Sequence, residues 1–132
     1  MSKRLMAGMV LAAGIVGVAS LALASAALDG KTFAGTIGKK GETTGNPDNF
    51  VFKDGTFEST LCEQFGYGTG LYTTSMTGDA VQFNSETTNP KGGTMAWTGT
   101  VAAGRIEGSV VTTESGTSSE MWFNGTATTK ND

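Results

Sequence analysis

An all-β fold follows from three features of the 132-residue sequence. Beyond residue 30, apolar residues do not recur at the 3.6-residue period of a helix. Thr, Gly, Phe and Val instead fill short runs in which apolar and polar side chains alternate, the pattern of half-buried strands. Turn dipeptides separate those runs at short, even spacing. The expected architecture is a single-domain antiparallel meander of about eight short strands. Eight strands in an open sheet would leave two edges as templates for aggregation, so a small closed barrel is expected, with a β-sandwich as the alternative.

The N-terminus is set apart from this pattern. Lys3 and Arg4 precede an apolar run from Leu5 to Ala24, and Ala24-Ser25-Ala26 supplies the small side chains a signal peptidase accepts. Residues 1–26 are therefore expected to be a signal peptide, with cleavage after Ala26 or one residue later. Residues 27–132 are expected to form the domain, in the periplasm or secreted. Export removes two basic residues and no acid, leaving seven basic against twelve acidic residues, a net charge of −5. Nucleic-acid binding needs a basic stripe to displace counterions, and Lys39-Lys40 is the only basic pair in the domain. The same acidity argues against anionic lipid surfaces, so no membrane association beyond targeting is expected. Cys62 is the only cysteine, and no disulfide within the chain can staple the fold.

Eight segments read as strands: 31–37, 49–53, 56–61, 71–77, 80–86, 94–101, 105–112 and 119–127. Asp54-Gly55 between Phe52 and Phe57 predicts a two-residue hairpin whose central residues take positive φ. Gly78-Asp79 suits a type II′ turn, Ala103-Gly104 joins segments six and seven, and 114–118 reads as a longer polar turn. Two connections read as long: 38–48, polar, and 62–70, rich in glycine and aromatic residues. Leu61 is expected to end a strand.

Alternation assigns the buried face. Phe50 and Phe52, Phe57 with Ser59 and Leu61, and Val81 with Phe83 point inward. So do Met95, Trp97, Gly99 and Val101, Ile106, Gly108 and Val110, and Met121 with Phe123. Lys53, Glu58, Gln82, Thr98, Arg105, Glu107 and Glu120 point to water. Gly99 and Gly108 on the inward face of adjacent strands predict a sharp bend or room for a neighbouring ring. This meander, with the hairpin "MAWTGTVAAGRIEGSV", resembles small secreted lipocalin-like barrels. The Gly-x-Trp of the lipocalin first strand has no counterpart in "KTFAGTI". The resemblance implies a barrel whose interior or mouth holds a small apolar ligand.

Histidine is absent, which removes the commonest general base and metal ligand, and with it Ser-His-Asp and Cys-His catalysis. No glycine-rich phosphate loop opens a helix. The acids alternate with buried residues or sit in turns, a solvated arrangement and not a catalytic pair. Met76, Met95, Met121 and Cys62 share soft donor chemistry but no motif spacing, and methionine fills β cores routinely. Asn124-Gly125-Thr126 matches a glycosylation acceptor, read here as coincidence in a Thr-rich chain. The expectation is a non-enzyme without cofactor or metal.

The stretch "LCEQFGYGTGLY", 61–72, carries the remaining signal. One reading is a ligand-binding mouth built from Cys62, Phe65, Tyr67, Tyr72 and Trp97. A second makes Cys62 an exposed thiol that links a dimer. The third buries Cys62 as a small hydrophobe while the aromatics cap one barrel end. Three functions follow: binding a small apolar ligand near 62–72, contacting an envelope protein or inhibiting a secreted enzyme through the barrel-end loops, or dimerising through Cys62.

Overall fold

A computed structural model describes residues 27–128; the expected signal peptide lies outside them. Eight antiparallel strands follow one another around the barrel, each paired with its sequence neighbours. They are β1 (Thr32–Lys39), β2 (Asn46–Lys53), β3 (Thr56–Ser59), β4 (Gly70–Thr77), β5 (Ala80–Thr88), β6 (Thr94–Ala102), β7 (Arg105–Glu114) and β8 (Thr117–Ala127). β1 pairs with β8, from Phe33↔Ala127 to Lys39↔Met121, and this closes the cylinder. The sheet is a barrel and not a sandwich. Closure satisfies the edge groups that an open sheet would expose.

The turns set the register as their residue types require. Asp54 and Gly55 both hold positive φ (53° and 79°), as do Ala103 and Gly104 (52° and 75°), the condition for a tight hairpin that matches strand twist. The expected long turn at 114–118 is also a two-residue turn: Ser115 and Gly116 take φ of 52° and 79°, so β7 and β8 run further than their alternation suggested. The polar connection expected over 38–48 shrinks in the same way. β1 extends to Lys39 and β2 begins at Asn46, with Pro47 opposite Thr36 and Asp48 buried. Leu61 does not end a strand. β3 stops at Ser59, and Leu61–Phe65 is a 3-10 turn.

The interior is packed with rings. Phe33, Phe50, Phe52, Phe57, Phe83, Phe123, Tyr72 and Trp97 are each no more than 2% exposed. They meet mainly edge-to-face or tilted, as with Trp97 against Phe57 at 4.9 Å and Phe52 against Phe83 at 5.0 Å. Such pairs add about 1 kcal/mol each beyond the area they bury. Trp97 places its indole nitrogen 3.2 Å from Thr87 Oγ1, which satisfies the one polar atom it carries into the core. Gly99 and Gly108 lie opposite one another on β6 and β7. A methyl at Gly99 would meet Phe83 at 2.6 Å and Phe123 at 2.9 Å, and one at Gly108 would also meet Phe123 at 2.9 Å. The room for a neighbouring ring is thus real, and the rings occupy it.

Polar side chains cover most of the outer wall, the reverse of a lipid-facing barrel. Among the described residues no helix is long and apolar enough to cross a membrane. The thinnest seam is β3–β4, where Thr56↔Leu71 and Phe57↔Gly70 are the paired positions.

Candidate functional site

The barrel has two ends. The terminal end gathers residues 27–31 and the turns at 54–55, 78–79 and 103–104. The loop end gathers the 3-10 turn, the loop 89–93 and the turn 115–116.

At the loop end, Asp48 fixes how the chain leaves β3. Its Oδ1 accepts from the backbone N–H of Asn49 (2.7 Å) and Leu61 (2.9 Å), and its Oδ2 accepts from the Ser59 hydroxyl. Ser59 Oγ in turn accepts from the Cys62 N–H at 3.3 Å. A carboxylate that caps orphan N–H groups at the start of a helical turn also offsets their partial positive charge. The turn ends at Gly66, whose φ of 89° is left-handed, and Gly66 N–H bonds Glu63 O at 2.9 Å.

This local winding distributes the five residues expected to form a mouth. Cys62 points into the core and is 8% exposed; burial pushes its thiol above the usual range, Ser59 opposes the shift, and the Asp48 charge adds to it. The thiolate form needed for reactivity is disfavoured. Tyr67 is buried and donates to Glu114 Oε2 at 2.6 Å. Burial, followed by the bond and charge of Glu114, raises its hydroxyl to about 12. Gly93 makes room for that hydroxyl, since a methyl there would approach it to 2.6 Å. Trp97 is enclosed in the barrel centre. Tyr72 belongs to the terminal end: its hydroxyl donates to Asp29 Oδ1 at 2.7 Å and accepts from the Leu28 N–H at 3.1 Å. Burial, then the bond to Asp29, raises the pKa of that hydroxyl above its ordinary value, so it holds its proton more tightly.

Phe65 alone of the five is open, at 63% exposure. It lines a groove of 630 Å³ together with Gln64, Pro90, Lys91 and Glu114. The opposite wall is held by Asn89, whose Oδ1 accepts from Gly93 N–H (2.8 Å) and Lys91 N–H (3.1 Å). Sequence reasoning did not find this wall, although Asn-Pro followed by Gly-Gly is a recognisable turn signature.

One pair of acids also departs from expectation. Glu58 is half-buried on the outer side of β3 and not fully solvated. A hydrogen bond with Glu63, followed by burial and repulsion from Glu63, pushes its carboxyl up to about 7. The soft-donor set is not assembled: Met76 lies on the β4–β5 hairpin at the terminal end, while Cys62 is at the loop end. No protein-family model, curated protein or solved structure matches this chain.

Proposed function

We propose that this chain is an exported, non-enzymatic interaction module that contacts an envelope protein, or a secreted enzyme it inhibits, through the loop end. The observation that carries this reading is the contrast between Phe65, 63% exposed on a capped turn, and an interior filled by rings. An exposed aromatic on a rigid support, beside a groove that receives partner side chains, has the features of an interface anchor. Cys62 and Tyr67 hold their protons, which favours a packing role over a nucleophilic one. The dimer through Cys62 has less support, because its thiol faces the core.

A second reading keeps the small apolar ligand near 62–72 and seats it in the groove beside Phe65, whose 630 Å³ falls in the usual range for small-molecule sites. A photo-crosslinking residue in place of Phe65, activated in the envelope fraction, tests the first reading. A defined protein adduct is expected, and the purified pair should bind at least about tenfold more weakly with Phe65→Ser, as for an anchor residue. The Val111→Ser control should bind as the parent does. No protein adduct, or equal affinity for Phe65→Ser, would overturn it, and a saturable dye response abolished by Phe65→Ser would favour the second.

A further inference from the structure

The outer wall of β6, β7 and β8 carries a second surface, which shares no lining residue with the groove beside Phe65. Register aligns two cross-strand rows: Thr98, Ser109 and Trp122, then Thr100, Glu107 and Asn124. Strands about 4.8 Å apart and residues about 3.4 Å apart make this a patch roughly 10 Å by 7 Å. These six side chains border a shallow, open groove floored by the backbone at Gly99 and Gly108.

Trp122 is held in place on the opposite side. Its indole N–H is shared between Lys39 O (3.0 Å) and Glu42 O (2.9 Å). Its ring lies over Gly38, where a methyl would approach Cζ2 to 2.5 Å. The ring is therefore fixed before any ligand arrives, which lowers the cost of binding. Around it stand three hydroxyls, one amide and one carboxylate, and no Lys or Arg lines the groove.

We propose that this groove binds a neutral sugar unit, free or within a glycan. A sugar ring offers an apolar C–H face to the indole and hydroxyls to the surrounding acceptors and donors. The Glu107 carboxylate accepts from such hydroxyls, and its charge, unopposed in the groove, disfavours anionic sugars and phosphates. The patch dimensions suit one or two rings.

The test is calorimetric titration of the processed protein with soluble neutral oligosaccharides of glucose, N-acetylglucosamine, mannose and galactose, with glucuronate as the anionic control. Co-sedimentation with insoluble polysaccharides of the same monomers separates free sugar from polymeric glycan. Saturable binding of at least one neutral probe is expected, together with protection of Trp122 from acrylamide quenching. Affinity should fall at least about tenfold in Trp122→Ala and about fivefold in Glu107→Gln, the loss of a stacking partner and of a charged acceptor. Glu107→Gln and Asn124→Ala guard against misfolding of the tryptophan variant, and Phe65→Ser should bind sugar normally. If no neutral probe binds in either format, if glucuronate binds as tightly, or if Glu107→Gln and Asn124→Ala bind unchanged, the proposal is overturned.

Discussion

The two ends of the barrel are sealed by the same device and finished differently. At each, a buried tyrosine donates to a carboxylate more than forty residues away: Tyr72 to Asp29 at the terminal end, Tyr67 to Glu114 at the loop end. The terminal end adds a lock. Leu28, 1% exposed, plugs the mouth, and the Asp29 carboxylate also takes the Gly55 N–H at 3.0 and 3.2 Å. Gly30 N–H and Phe52 N–H close the connection to β2 at 2.8 and 3.0 Å. The loop end instead spends its polar contacts on shaping a turn and leaves Phe65 in water. One mouth is built for stability, and the other gives up burial of a ring that a recognition surface would use.

Removing the lock should have the largest effect. Leu28→Ala opens a cavity beneath Tyr72 and is expected to cost about 3 kcal/mol in urea unfolding. A loss within error would mean that the terminal plug contributes nothing. Next comes the turn at the other end. Asp48→Ala strands the Ser59 hydroxyl and the Leu61 N–H, at a cost of about 2 kcal/mol. Amide exchange should accelerate over 59–66 and not over 27–31; equal acceleration at both would show that the ends are coupled.

A smaller effect separates the ends by pH. The folded Glu58 carboxyl titrates near 7, above its ordinary 4.5, so between those values the folded chain binds more protons than the unfolded one. Stability from this pair is full below about pH 4.5 and is lost as pH rises through about 7. Solvent screening keeps the change below about 1 kcal/mol. Glu63→Gln should flatten the slope, read as urea midpoints at pH 5 and pH 8; an unchanged slope would place the titration elsewhere. The smallest expected shift belongs to Phe65→Ser, within about 0.5 kcal/mol of the parent, because its ring is already solvated. A large loss would make Phe65 a structural residue.

Alternation made the strands legible. Phe50, Phe52, Phe57, Phe83, Trp97, Val110 and Phe123 read as inward from a period of two, and all are buried. Gly99 and Gly108 read as space for rings because glycine on an inward face has few other uses. The candidate site was legible only in composition. "LCEQFGYGTGLY" marks where aromatics cluster, but it does not show that the 3-10 winding turns Cys62 in and Phe65 out. Nor does it show that β4 carries Tyr72 to the opposite end from Tyr67. Asp48 and Leu28 were illegible for a related reason. Apart from Asn49 beside Asp48, their side-chain partners lie 11 to 44 residues away; Asp48 sits in a polar stretch and Leu28 precedes β1. Such roles come from closure of the barrel, which no local pattern encodes.

The central claim is that every phenylalanine except one is spent on the interior. The chain has seven, so fluorophenylalanine labelling gives seven resonances, which a soluble paramagnetic agent sorts by exposure. The account predicts one resonance strongly broadened, absent in Phe65→Ser, and six protected, from Phe33, Phe50, Phe52, Phe57, Phe83 and Phe123. Broadening of several signals, or protection of Phe65, would contradict it.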